Sequence, residues 1–170
     1  MGKQDEALKQ QRLTFYKGDI DKIDKVILEF LNLSGARCAM LIDKDGHLVT
    51  KQGSTAGYDS DTVSALVAGS FAATKQMAKL LGEEEFSIMF HQGKEDSIQL
   101  SLVGDRTILA IIFDDKTTVG MVRLYAVQVA DKLAQLFREM GNRKETAQQE
   151  EITKNFGDTA KKNLDDIFGS

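Results

Sequence analysis

Two almost uninterrupted apolar segments constrain the fold of this chain more than any other feature. They are residues 37–43 (RCAMLID) and 107–113 (TILAIIF). Short apolar runs of this kind are typical of buried strands, so both are predicted to be central strands, and the second is predicted to be covered on both faces. Helices must then cover the sheet. The chain is therefore predicted to be an α/β protein built from layers of helix and sheet.

Three further strands are indicated by turns and by alternation. Residues 47–52 follow the turn at 44–46, where the Asp-Gly pair is typical of a β-hairpin. Residues 86–92 and 97–103 are joined by a short polar turn. In 97–103 apolar and polar residues alternate, which predicts a strand with one face in water. Hairpin connections imply antiparallel pairing, so the five strands are predicted to form one antiparallel sheet.

Three helices complete the domain, at residues 15–33, 59–81 and 118–140. The predicted order is α-β-β-α-β-β-β-α. Residues 1–14 are predicted to be a polar N-terminal extension and residues 15–140 the folded domain.

The remaining residues, 141–170, change in composition. A polar linker or fraying helix is predicted first, followed by a short amphipathic helix that begins at Asp158 or Thr159. So short a helix is marginal in water by itself. Its apolar face, which includes Leu164, Ile167 and Phe168, is therefore expected either to dock on its own domain or to bind a partner, and its position behind a polar linker favours a partner.

The helix at 59–81 is unusual on the side that should face water. One side holds the residues predicted to face the core, which are Val63, Leu66, Val67, Phe71, Met77 and Leu81. The opposite side holds mostly small residues, which are Ala65, Ala68, Gly69, Ala72, Ala73 and Gln76. A glycine inside a helix costs about 1 kcal/mol relative to alanine. Small residues are useful where another backbone packs closely, so this side is either covered within the domain or forms an interface with a second copy or a partner.

Composition narrows the possible functions. The net charge is −4 and the basic residues form no stripe, which argues against nucleic acid as a partner. We expect no membrane insertion, because no apolar run is long enough to span a bilayer. The N-terminus has no apolar signal core, and the single cysteine, Cys38, fits a reducing compartment. A cytoplasmic location is therefore expected.

The sequence contains no recognisable catalytic pattern. His47 and His91 lie in different predicted strands, so neither is expected to form a metal site or a Cys-His pair. The phosphate-binding loop sequence of nucleotide hydrolases is missing. Asp43 and Asp45 lie at a turn, where aspartate is common for conformational reasons. We therefore expect no catalytic residue, no cofactor, no metal and no active site of the chain's own.

Four segments resemble a known family. They are LIDKDGHLVTKQG, SALVAGSFAATKQMAKLLGEEEF, FHQGKEDSIQLSLVGDRTILAIIFDDKTTVGMVRL and the terminal NLDDIF. Together with the element order they resemble the roadblock/dynein light-chain family, most closely its bacterial polarity regulators, whose partner is a Ras-like small GTPase. The resemblance covers residues 36–124 and the extreme C-terminus.

The resemblance implies a roadblock-type homodimer with one continuous sheet. The 59–81 helices of two copies would pack antiparallel, and each strand 86–92 would pair with its twin. The implied dimer interface includes Ala68, Phe86, Ile88 and Phe90. The implied GTPase-binding residues are Ala65, Gly69, Ala72, Ala73 and Gln76. The terminal Leu164, Ile167 and Phe168 resemble a segment that docks elsewhere on the GTPase. Lys75 and Gln76 stand where a familiar member of the family is small, and a larger polar side chain there is expected to alter affinity or partner choice.

The activity implied by the resemblance is acceleration of GTP hydrolysis without an arginine finger, by holding the catalytic residues of the GTPase in position. It also implies a role in cell polarity or motility, with a cell pole as one location. The main alternative is a non-catalytic adaptor that binds and localises a GTPase or another roadblock protein. A small-ligand sensor is a weaker alternative, and an enzyme with its own substrate is the weakest.

Overall fold

The computed structural model describes residues 17–168. The predicted extension at 1–14 and the predicted helix start at Phe15 lie outside these residues. The helices are α1 (Lys17–Ser34), α2 (Ser60–Leu80) and α3 (Val119–Phe168), and the strands are β1 (Cys38–Asp43), β2 (Leu48–Gly53), β3 (Ile88–Gln92), β4 (Ser97–Val103) and β5 (Thr107–Phe113). The predicted order of helices and strands is confirmed.

The five strands form one antiparallel sheet in the order β2-β1-β5-β4-β3. All seven residues of β5 are buried, and so are five of the six in β1. The prediction that these two apolar segments are central strands is therefore confirmed. The pairing of β1 with β2 is irregular between Leu41 and Ile42, beside the Asp-Gly turn. At the opposite edge of the sheet lies β3.

Each face of the sheet is covered by different helices. The core under α2 comprises Cys38, Met40, Ile42, Val67, Phe71, Met89, Leu100, Ile108, Ala110 and Ile112. The intervening strand residues point to the opposite face, because side chains alternate along a strand. On that face Phe90 of β3 lies beneath the guanidinium of Arg123 of α3, 6.0 Å from the ring centre. Val122, Ala126 and Val129 of α3 are buried as well.

The predicted water-exposed face of β4 was wrong. Gln99 is 0% exposed and Ser101 is buried beside it. The Gln99 Nε2 donates a hydrogen bond to Ser101 Oγ at 3.2 Å, whereas Gln99 Oε1 has no partner among the described residues. Gln99 pairs with Phe90 across the strands, on the face that α3 covers. Alternation shows that the two faces of a strand differ, but it does not show whether a helix covers the polar one.

The ends of α1 and α2 follow from local chemistry. Gly35, at a φ of +72°, ends α1, and its N–H donates to the Leu31 carbonyl. Asp59 caps α2 by accepting hydrogen bonds from the Thr62 hydroxyl at 2.8 Å and from the Asp61 N–H at 3.1 Å. These hydrogen bonds, first that from Thr62, lower the pKa of Asp59.

The helix α3 is longer than predicted. It continues from Val119 to Phe168 without the separate start predicted at Asp158 or Thr159. The polar stretch at 141–154 is rich in Glu, Gln, Lys and Arg, which are good helix formers. The chain also has no proline that would stop the helix. The described chain divides into two compact units, one ending at Ala134 and the other starting at Gln135. Among the described residues, no helix combines the length and apolarity needed to cross a bilayer.

Candidate functional site

The candidate site is the side of α2 that points away from the sheet, which we call the outward face. It comprises Ala65, Leu66, Gly69, Ala72, Ala73, Gln76, Met77 and Leu80, which the structure leaves partly or largely exposed. None of these side chains is charged, although Lys75 and Lys79 lie on the same helix. The structure therefore brings all five residues predicted to bind a GTPase onto one surface. It adds three large apolar residues that the sequence analysis did not assign to it.

The predicted core face of α2 was partly wrong. Val67 and Phe71 are buried as predicted, but Leu66, Met77 and Leu81 are 67%, 57% and 71% exposed. The buried face instead includes Ser60, Ser64, Val67, Ala68, Phe71 and Ala78. The Ser64 hydroxyl is satisfied there, because it donates to the Ser60 carbonyl at 2.7 Å. The face predicted from hydrophobicity alone is therefore rotated by roughly a fifth of a turn from the buried face, toward leucines that face water.

At one margin of α2, small residues pack against another part of the same domain. A Cβ added to Gly46, in the β1–β2 turn, would lie 3.1 Å from the Ala65 Cα and 3.5 Å from the Ala68 Cβ. Small residues on α2 thus let this turn pack against the helix. Ala68 is 7% exposed, so its predicted placement on the outward side was wrong.

Gly69 lies on the outward face and has no such explanation. A Cβ added there would meet nothing within 4 Å. The packing of the described chain therefore does not require glycine at this position, although glycine weakens a helix. The neighbouring Ala72 and Ala73 are also exposed. The structure thus leaves a flat, uncharged, small-residue surface without a partner in the described part of the chain.

The edge strand β3 lies beside this helix. Its Ile88 is 43% exposed, whereas the Phe90 ring stacks on Phe113 at a centroid distance of 6.0 Å. Met89 points to the α2 side, where the Thr74 hydroxyl lies 2.9 Å from its Sδ. Phe86, which was predicted to belong to the strand, precedes it and packs against the core under α2. Of the three predicted interface residues on this segment, Ile88 is the one that faces water.

The second unit presents its own apolar side chains. Leu164, Ile167 and Phe168, which were predicted to bind a partner, are all exposed on α3. Ile152 and Phe156 are exposed on the same helix and extend the set toward its N-terminus. An amphipathic helix with exposed apolar residues is a common way to engage a groove on another protein.

Few side chains are arranged for chemistry. Ligand atoms of Asp43, Asp45 and His47 lie within 4.8 Å of one another at the β1–β2 turn. Asp43 already accepts a hydrogen bond from the His47 N–H at 2.9 Å, so the conformation of the turn accounts for its position.

Cys38 is buried and shares a hydrogen bond with the Tyr58 hydroxyl, whose oxygen lies 2.9 Å from Sγ. Burial raises the pKa of the Cys38 thiol. Burial and the hydrogen bond to Cys38 also raise the pKa of Tyr58 to about 12. Both groups are therefore neutral near pH 7, and a buried neutral thiol is a poor nucleophile.

Comparison with known proteins identifies relatives of this fold. Residues 22–113 match the Roadblock/LC7 domain family. Myxococcus xanthus MglB is 37% identical in sequence, with a TM-score of 0.67, and the match covers 69% of this chain and 96% of MglB. The gliding protein MglB of Thermus thermophilus is 32% identical, with a TM-score of 0.70 over 75% of this chain and 96% of its own. A structure described as MglB with a tetrameric arrangement matches equally well.

Proposed function

Because this chain belongs to the Roadblock/LC7 family and resembles MglB, we propose that it regulates a Ras-like small GTPase of the MglA type. In this proposal the chain acts as a homodimer that accelerates GTP hydrolysis while contributing no catalytic residue of its own. The proposed setting is bacterial cell polarity or motility, in the cytoplasm and at a cell pole.

The outward face of α2 is the observation that carries this proposal. Exposed apolar residues that group into one contiguous patch are a mark of protein interaction surfaces. Gly69, Ala72 and Ala73 keep the surface flat, so a partner's backbone can approach closely. Leu66 and Met77 add apolar area beside them. A GTPase surface with an apolar centre and few charges fits this face.

The proposed homodimer is supported by the edge strand. β3 is the last strand of the sheet, so the backbone groups on its outer side have no strand partner among the described residues. Such an edge is a ready template for another strand. Pairing β3 with its own copy would extend the sheet and place two outward faces side by side. The related MglB with a tetrameric arrangement is itself an assembly of several copies.

The proposed mechanism relies on positioning. The outward face presents neutral side chains, so it offers no arginine to the transferring phosphoryl group. Phosphoryl transfer depends mainly on positioning and on electrostatic stabilisation. A platform that fixes the GTPase's own catalytic residues would therefore raise the rate. The exposed Leu164, Ile167 and Phe168 of α3 would bind the GTPase at a second place and tune its nucleotide affinity or exchange.

The test is GTP hydrolysis by the cognate GTPase, with this chain added at substoichiometric amounts. Acceleration over many turnovers would support an activator. GTP-dependent binding without acceleration would instead select the adaptor, and the positioning mechanism would then be withdrawn. Ala72→Arg is expected to abolish the effect while the chain still dimerises. Loss of dimerisation in this variant would place Ala72 in the contact between copies.

A further inference from the structure

A cleft lies on the α2 side of the sheet, at the end of β3. Its volume is about 410 Å³, and it is open to solvent rather than enclosed. Ile98 and Ile112 contribute apolar surface to its lining, and His91 of β3 lies beside them. Arg37 and Asp96 lie at the same cleft and form an ion pair at 3.2 Å. The cleft can therefore hold apolar side chains with polar groups around them.

The direction of β3 determines what a second copy would bring to this cleft. When two identical strands pair antiparallel, the start of one lies beside the end of the other. Ile88 of a second copy would then lie near Gln92, which lines the cleft. The two-fold axis of such a pair is perpendicular to the sheet, so both α2 helices lie on the same face. The cleft and the second α2 are therefore on the same side.

The end of α2 lies close to the start of β3 within each copy. The Thr74 hydroxyl touches Met89 Sδ, and a short connection links the helix to the strand. A second copy paired along β3 would therefore bring the end of its α2 toward the cleft. That end carries Leu81, which is 71% exposed and is not part of the outward face.

We propose that, in the homodimer, this cleft receives Leu81 of the second copy. The inference rests on the proposed homodimer and adds to it a side-chain contact that is made twice, once at each end of the paired β3 strands. It explains why a leucine is exposed just where α2 ends, and why the sheet is left open beside His91. It also makes Leu81 a determinant of which roadblock chains can pair.

The test measures the dimer dissociation constant of the full chain by analytical ultracentrifugation. Leu81→Asp is expected to weaken dimerisation by roughly tenfold or more, because a leucine loses its buried position and a carboxylate must lose water. Leu28→Asp is the matched control. Leu28 is an exposed leucine of α1, so this variant should leave the dissociation constant unchanged.

A mixing experiment tests the contact itself. Leu81→Lys and His91→Glu are each expected to dimerise poorly alone. An equimolar mixture should dimerise roughly tenfold more tightly than either variant, since one of the two symmetric contacts then pairs opposite charges and the other is unchanged. A mixture no tighter than the separate variants would overturn the proposal.

The outcomes separate this inference from the proposed function. A wild-type chain that stays monomeric would overturn the homodimer and the inference together. A wild-type dimer that Leu81→Asp leaves intact would overturn the inference alone. If this variant dimerises normally but loses GTPase binding, Leu81 contacts the GTPase and does not occupy the cleft.

Discussion

Replacing Gly69 by alanine separates the stability of α2 from its use as a binding surface. The added Cβ would meet nothing within 4 Å, and the backbone there is helical, so no strain is introduced. Alanine is favoured over glycine in a helix by about 0.8–1.0 kcal/mol. The isolated chain is therefore expected to gain about that much free energy of unfolding, which corresponds to a rise in Tm of about 2–4 °C for a domain of this size.

The same methyl group should weaken GTPase binding. If the backbone of the GTPase packs against Gly69, the added group overfills that contact, which typically costs about 1–3 kcal/mol. The dissociation constant should then rise roughly 5- to 150-fold. The assays are calorimetric unfolding at one fixed chain concentration and titration of the chain with the GTP-loaded GTPase. Gly141→Ala is the matched control for binding, because it also meets nothing within 4 Å and lies on α3.

Two results would refute this reasoning. A variant that is stabilised but binds the GTPase as tightly as the wild type would show that Gly69 lies outside the contact. A variant that is not stabilised would show that α2 is already packed at this position. Weaker dimerisation with unchanged GTPase binding would assign the close approach to the second copy.

Three further predictions concern the fold. Gly53→Ala should lower the free energy of unfolding by about 3 kcal/mol or more, because the φ of Gly53 is +92° and the new Cβ would clash with backbone atoms. Gly57→Ala has open space around it and should lower the free energy of unfolding by about 1–2 kcal/mol; urea unfolding of both variants checks this. Ser101→Ala should lower the free energy of unfolding by about 1–3 kcal/mol, because it leaves the buried Gln99 Nε2 without its hydrogen-bond acceptor. Adding Gln99→Leu to this variant should recover most of that loss in the same assay. Folding raises the Tyr58 pKa from 10 to about 12, so the unfolded chain loses this proton first as the pH rises. The free energy of unfolding should therefore be unaffected by Tyr58 below about pH 10 and should fall as the pH rises toward 12. The urea midpoint measured against pH should fall less in Tyr58→Phe.

The sheet could be predicted from sequence because its signals are local. An apolar run such as 107–113 can be satisfied only by cover on both faces, whichever elements provide it. Turns at Gly46 and Gly104 require positive φ values of +94° and +63°, which glycine adopts readily. The antiparallel pairs β1–β2, β3–β4 and β4–β5 then follow from short connections, whereas the pairing of β1 with β5 joins strands that are far apart in the chain.

The faces of α2 and β4 could not be predicted in the same way, because they depend on what packs against them. Ser64 and Ala78 are buried since they let α2 lie close to the sheet, whereas the more hydrophobic Leu66 and Met77 are left exposed. Gln99 looks like a surface residue until α3 covers its face. The change in composition at 141–154 predicts either a linker or a fraying helix, and α3 continues through this stretch as a helix.

The measurement that tests the central claim most directly is calorimetric titration of the wild-type chain, Ala72→Arg and Val127→Arg with the GTPase in its GTP- and GDP-bound forms. Val127 is an exposed residue of α3, so Val127→Arg adds the same charge away from the outward face. We predict that the wild type and Val127→Arg bind the GTP-bound form alike, and that Ala72→Arg loses binding by roughly 100-fold or more, since an unpaired arginine would be buried in the contact. Wild-type affinity in Ala72→Arg would contradict the assignment of the outward face of α2 as the GTPase-binding surface.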